Sequence, residues 1–210
     1  MTVDLSFVHQ FEPGSDPALP SALLLHGTGG DENDLIPLGR EIAKGAGLLS
    51  PRGKVLENGM PRFFRRLREG VFDEEDVRRR AGELVDFIAE ARAAYGIGAP
   101  IAVGFSNGAN IAAAVLLLHP EALQGAILIR AMVPLLEPPR ADLAGKRVLI
   151  LSGATDAIIP AENAGRLAAL LAEAGAEVQH ETLRTGHGLT PQDLRLAKSY
   201  FDKLRSSANR

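Results

Sequence analysis

Ser106, Asp156 and His187 are the residues whose types and spacing could do chemistry together. Ser106 is the centre of Gly104-Phe105-Ser106-Asn107-Gly108, a G-x-S-x-G string. The apolar run Ile101-Ala102-Val103 precedes it, and Ala109 to Leu118, rich in helix formers, follows it. Between a strand and a helix the pentapeptide is a sharp turn, strained at the serine. The flanking glycines let the two elements pass without a Cβ clash. The hydroxyl then stands clear of the backbone at the positive end of a helix. A serine nucleophile needs a base, and the base needs an orienting carboxylate. His187, in Thr185-Gly186-His187-Gly188-Leu189, sits on a flexible loop from which an imidazole could reach the serine. Asp156 follows the apolar run Val148 to Leu151 and could orient that imidazole, or instead cap the helix after Pro160. Of the other histidines, His26 is read as structural, His119 as a helix-end residue and His180 as a strand residue. His9 falls in a weakly patterned segment.

The elements that must position these groups alternate. Val3 to Phe11 reads as an edge strand and residues 12–17 as a loop. Ser21 to Leu25 is a short apolar run of the kind buried in a parallel sheet. Asp31 to Ala43 is expected to be a helix, Gly47 to Pro51 a strand, and Arg52 to Phe72 irregular. Asp73 to Tyr95 is a long amphipathic helix with Asp73 as its cap. Strands are expected at Gly125 to Ile129, Lys146 to Leu151 and Glu177 to Thr182. Helices are expected at Pro160 to Gly175 and Thr190 to Leu204, the last with Pro191 at its first position. Such alternation predicts an α/β chain, a mainly parallel sheet with helices on both faces, and a ligand site at the carboxyl ends of the strands. Residues 1–210 are read as one domain, since no linker or repeat divides them.

A developing oxyanion needs two backbone N–H donors. Asn107, at the start of the helix after the serine, supplies one. The loop His26-Gly27-Thr28-Gly29-Gly30 supplies the other, with Thr28 first and Gly29 second. That loop lacks the Gly-Lys-Ser/Thr ending and the G-x-G-x-x-G register of phosphate loops.

The whole-chain totals narrow the classes. Hydrophobic content is 46%, charged content 23% and net charge −3, which points to no nucleic-acid partner and no membrane-surface partner. With no cysteine there is no disulfide, thiolate metal site or cysteine nucleophile. No basic-then-apolar leader and no stretch near the roughly 20 residues of a membrane span is visible, so a cytoplasmic location is expected.

The chain resembles α/β-hydrolases of the phospholipase/carboxylesterase family, relatives of the acyl-protein thioesterases. The resemblance runs through Leu24 to Leu35, Ser50-Pro51-Arg52-Gly53, Gly104 to Ala109, the Asp156 segment and Gly186-His187, nearly the whole chain. It looks closest to small bacterial carboxylesterases carrying Phe63-Phe64-Arg65-Arg66 after the Ser-Pro-Arg-Gly strand. It implies an α/β-hydrolase fold with no lid domain, and a serine esterase with Ser106, Asp156 and His187 catalytic. Thr28 and Asn107 would form the oxyanion hole, and no cofactor or metal would be needed. The substrate would be a small-molecule ester with a short acyl group. Met60, Phe63, Phe64, Met132, Val133, Ile158 and Ile159 are expected to wall the pocket unless they are core residues. Arg65 and Arg66 would attract an anionic substrate or form surface salt bridges. Acyl thioesterase or lysophospholipase activity is the alternative within enzymes, although the tryptophan that thioesterase relatives carry is absent. A non-catalytic ligand-binding fold is the alternative outside them. Related proteins often pair, so a homodimer is one expectation, with no stretch marking the interface.

Overall fold

The apolar runs of the sequence form the inner strands of a seven-stranded sheet in the computed structural model, which describes residues 4–16 and 18–208. In chain order the elements are β1 (His9–Glu12), β2 (Ala22–Leu25), α1 (Ile36–Ile42), β3 (Leu48–Pro51), β4 (Val55–Glu57), β5 (Met60–Arg62), β6 (Arg66–Arg68), β7 (Val71–Phe72) and α2 (Glu74–Tyr95). There follow β8 (Ile101–Phe105), α3 (Asn107–Leu118), β9 (Gly125–Ile129), β10 (Arg147–Gly153), α4 (Ala161–Glu173), β11 (Glu177–Leu183) and α5 (Pro191–Ala208). The large sheet has the order β1-β3-β2-β8-β9-β10-β11, parallel except for the antiparallel edge pairing of β1 with β3. This is an α/β-hydrolase fold, with no inserted lid domain among the described residues. Val3 and Pro17, expected in the first strand and the loop after it, lie outside the described residues.

The inner strands are apolar throughout because both faces of the sheet are covered. Leu23, Leu25, Ala102, Leu128 and Ile150 point into a core shared with α2, α3 and α4. Their alternates Leu24, Val103, Ile129 and Leu151 point into a second core shared with α1 and α5. Fully burying one such leucine contributes about 1.5–3 kcal/mol. α2 is capped by the Asp73 carboxylate accepting the Asp76 N–H, and it ends at Gly96 in the left-handed region (φ 66°). α5 is opened by a reciprocal cap. Thr190 Oγ1 accepts the Asp193 N–H, and the Asp193 carboxylate accepts the Thr190 N–H.

Two expectations are corrected. The first helix is shorter than Asp31 to Ala43 and begins at Ile36. Asp31 closes a local turn by accepting the Asn33 N–H, which draws residues 31–35 out of helical register. The stretch Arg52 to Phe72 is not irregular. It folds into the hairpins β4–β5 and β6–β7. Asn58 (φ 52°) and Gly59 (φ 80°) form the two-residue turn of the first, the Asn-Gly signature of a tight hairpin.

Candidate active site

Ser106 stands between β8 and α3 with φ 51° and ψ −114°, a backbone region that costs a non-glycine residue on the order of 1–3 kcal/mol. The close approach around it demands the flanking glycines. A Cβ on Gly108 would lie 2.0 Å from the Leu25 carbonyl oxygen, and one on Gly104 would lie 2.6 Å from the Gly108 oxygen. α3 therefore packs onto β2 and β8 at backbone distance, and the Ser106 side chain is directed out at the carboxyl edge of the sheet.

The loop after β11 brings His187 to that edge. Ser106 Oγ and His187 Nε2 are 2.9 Å apart, and His187 Nδ1 and Asp156 Oδ2 are 2.8 Å apart. A carboxylate only accepts, so Nδ1 carries the proton and Nε2 is left to accept from the serine hydroxyl. Asp156 does two things with its two oxygens. Oδ2 holds the imidazole, while Oδ1 accepts the N–H groups of Ile158 (2.8 Å) and Ile159 (3.0 Å). Burial alone would raise its pKa. The His187 bond and the two backbone donors outweigh that and hold the carboxyl below the usual aspartate range. Asp156 thus bonds to His187, but it does not cap the helix after Pro160. Its other oxygen closes the turn at Ile158 and Ile159, and α4 begins after Pro160 with no side-chain cap.

The Thr28 and Asn107 N–H groups have no acceptor among the described residues. The Gly29 N–H donates to Pro61 O (3.0 Å) and that of Gly30 to Gly27 O (3.2 Å), so neither remains for an anion. His26 fixes this loop, as its structural reading required. Its Nε2 accepts the Gly53 N–H (3.0 Å), leaving Nδ1–H to donate to Gly27 O (2.7 Å). Burial pushes the His26 pKa down, toward the neutral ring this pairing needs. β5 and the residue after it brace both donor sites. Pro61 O holds Gly29, Arg62 Nη1 donates to Thr28 Oγ1 (2.7 Å), and the Phe63 N–H donates to Asn107 Oδ1 (2.7 Å).

A cavity of about 340 Å³ opens beside Ser106 and His187. Of the expected walls, Met132, Ile158 and Ile159 line it. Phe63 and Phe64 do not. They are 3% and 0% exposed and sit in the core, Phe63 against His26 and Phe64 against Phe72. Met60 is outside the lining and packs beside Gly29, and Val133 belongs to a neighbouring depression. Arg65 pairs with Asp73 at the surface. Arg66 is at the cavity but held by Glu57 (2.6 Å). His9 bonds to Tyr95, His180 to Ser152, and His119 ends α3; none approaches the serine. A larger surface depression of about 820 Å³ lies at the amino ends of β10 and β11, and neither Ser106 nor His187 lines it.

Two residues at the site carry no sequence motif. Arg62 is one. Arg130 is the other, fully buried after β9 with φ 57°. Its guanidinium donates to Gly186 O (3.0 Å) and Gly188 O (3.2 Å), on either side of His187. It also donates to Leu151 O and to both oxygens of Asp193. A lone arginine at a strand end gives no signal in sequence, because its partners lie 21 to 63 residues away.

Known proteins share this arrangement of chain. A model described as alpha/beta hydrolase fold matches residues 58–146. MhqD of Bacillus subtilis (strain 168), a hydrolase by name, is 47% identical over 196 residues, 92% of this chain and 96% of its own. The chain belongs to the α/β-hydrolase fold family. Among solved α/β-hydrolases, a Bacillus cereus carboxylesterase is similar with 46% identity and a TM-score of 0.93 over 95% of each chain. A carboxylesterase from Mesorhizobium loti is similar with 31% identity and a TM-score of 0.90, over 96% of this chain and 97% of its own. This α/β-hydrolase is therefore close in structure to carboxylesterases. Among its described residues no helix is long and apolar enough to cross a membrane.

Proposed function

We propose that this hydrolase is a serine carboxylesterase acting on short-acyl esters through an acyl-enzyme. The observation that carries the reading is the unbroken hydrogen-bond series from Ser106 through His187 to Asp156. His187 Nε2 takes the Ser106 proton as Oγ attacks the acyl carbonyl. Asp156 holds the ring and stabilises the imidazolium. The Thr28 and Asn107 N–H groups receive the oxyanion. Collapse expels the alcohol, protonated by His187. Water, deprotonated by the same imidazole, then releases the acid. The cavity of about 340 Å³ is at the small end of ligand pockets, which supports short acids over long acyl chains.

The test is hydrolysis of p-nitrophenyl esters from acetate to palmitate. Short esters are expected to turn over, with Ser106→Ala lowering kcat by at least about 10³-fold. Equal turnover by the alanine variant would sink the proposal. A preference for palmitate would replace it with a thioesterase or lysophospholipase reading.

A further inference from the structure

The cavity beside Ser106 is two-sided. Met132, Ile158 and Ile159 give one apolar wall. The other carries Arg62, Asn107 and Asn110, and these offer more donors than the protein accepts. Arg62 has a side chain only 4% exposed. Its Nε donates to Phe64 O (3.2 Å) and its Nη1 to Thr28 Oγ1, while Nη2 has no acceptor among the described residues. Asn107 Oδ1 is taken by the Phe63 N–H, and its buried Nδ2 has no partner. Asn110 repeats the pattern, with Oδ1 accepting the Met132 N–H (2.9 Å) and no acceptor for Nδ2 among the described residues. In both amides the backbone donor fixes which atom is oxygen, so the NH₂ is the end left over.

The charges nearby lean the same way. Glu57 pairs with Arg66 at 2.6 Å and lies 3.5 Å from Arg62. One carboxylate shared by two guanidiniums leaves one positive charge at the wall. Glu69 is at the rim and exposed, where solvent screens it. Asp156 is committed to His187. A buried donor left unpaired, as Asn107 Nδ2 is, is costly and rare in native proteins, and a carboxylate, which only accepts, is the natural complement of this wall.

Resting on the esterase reading above, we propose that the preferred substrates are short esters carrying a free carboxylate, which is received by the Arg62, Asn107 and Asn110 wall. The carboxylate can sit on the acid or on the alcohol part, and paired substrates separate these. Monoethyl succinate is compared with ethyl 4-methylpentanoate, where an isopropyl group replaces the carboxylate. Carboxymethyl butyrate is compared with isobutyl butyrate. Titration of released acid gives kcat/KM for each.

The carboxylate partner is expected to lead by about tenfold or more in at least one pair, and to lose that lead in Arg62→Met. Loosening of Thr28 in the variant slows both members of a pair, so the ratio reads recognition alone. Arg62→Gln, which keeps a donor for Thr28 without charge, gives the same reading should the methionine variant not fold. Preference for the isopropyl partner in both pairs, or a carboxylate lead that survives loss of Arg62, overturns the proposal. Succinate binding to Ser106→Ala, measured by calorimetry, separates the two claims. Binding that weakens about tenfold with added Arg62→Met is expected. No binding overturns the carboxylate wall whatever the rates. Retained binding in a wild-type protein that hydrolyses none of the four esters overturns the esterase reading alone.

Discussion

At the residue scale, the arrangement turns on which atom holds which proton. Asp156 can only accept, so it fixes the Nδ1–H tautomer of His187 and leaves Nε2 toward Ser106. Asp156→Asn keeps the size of the side chain and can keep the turn at Ile158 and Ile159. It can, however, present an NH₂ to Nδ1 and reverse the tautomer. We expect kcat for a short p-nitrophenyl ester to fall about 10⁴-fold with little change in melting temperature. A loss under tenfold would remove Asp156 from its orienting role. That Ser106, Asp156, His187, Thr28 and Asn107 would meet at one sheet edge was legible in sequence, because each sits at a fixed offset from a strand end or a glycine turn. The misplaced wall residues Phe63 and Phe64 show the limit. Two adjacent aromatics in a loop-like stretch have no period to reveal which way they face, and here both face the core.

At the element scale, β9, β10, α5 and the His187 loop are joined by one guanidinium. Arg130 reaches all four through Leu151 O, Asp193, Gly186 O and Gly188 O. Removing it leaves the Asp193 carboxylate, 1% exposed, without its cation. Arg130→Met should therefore cost about 3–5 kcal/mol in urea unfolding and lower kcat more than it raises KM, since the imidazole loses its tether rather than the substrate its pocket. In Arg130→Met/Asp193→Leu the stranded charge is gone. Much of the stability should return while kcat stays low. Recovery of kcat along with stability would show that Arg130 acts on the fold alone. None of this was visible in the sequence. The hairpin β4–β5 was partly visible, since Asn58-Gly59 announces its turn, but three-residue strands are too short to show alternation.

At the scale of the whole molecule, two cores on the two faces of one sheet make stability depend on groups far from the serine. Asp76, with no exposed side-chain surface, would have its pKa raised by burial. The Arg65 N–H and the guanidiniums of Arg79 and Arg80 reverse that and hold it low. A carboxyl depressed on folding contributes stability that is complete above the ordinary value of about 3.9 and is lost as pH falls through the folded value. His26, also depressed by burial, adds a loss that begins earlier. The unfolded chain takes up its proton below about pH 6.5 while the folded one does not. Urea unfolding should thus show stability declining in two stages, below about pH 6.5 and again below about pH 4. His26→Gln should shrink the first stage, to which the half-buried His180 also contributes. Asp76→Asn should shrink the second, which it shares with other depressed carboxyls such as Asp156 and Glu32. A profile level down to pH 4 in the unmodified protein would contradict the first assignment.

The sequence by itself determined the alternation of strands and helices, the strained turn at Ser106, and the order in which Ser106, Asp156 and His187 meet one sheet edge. Each of these is a local pattern: an apolar run, a glycine offset, a loop after a strand. Tertiary structure alone decided what surrounds them. The aromatic pair went inward, an unmarked arginine tethered the histidine loop, and Arg62 was placed against Thr28 beside the serine. The physical reason is range. A turn or an amphipathic face is fixed by neighbours within a few residues. Charge pairing and donor surplus at a buried site depend on residues tens of positions apart, brought together only when the sheet forms.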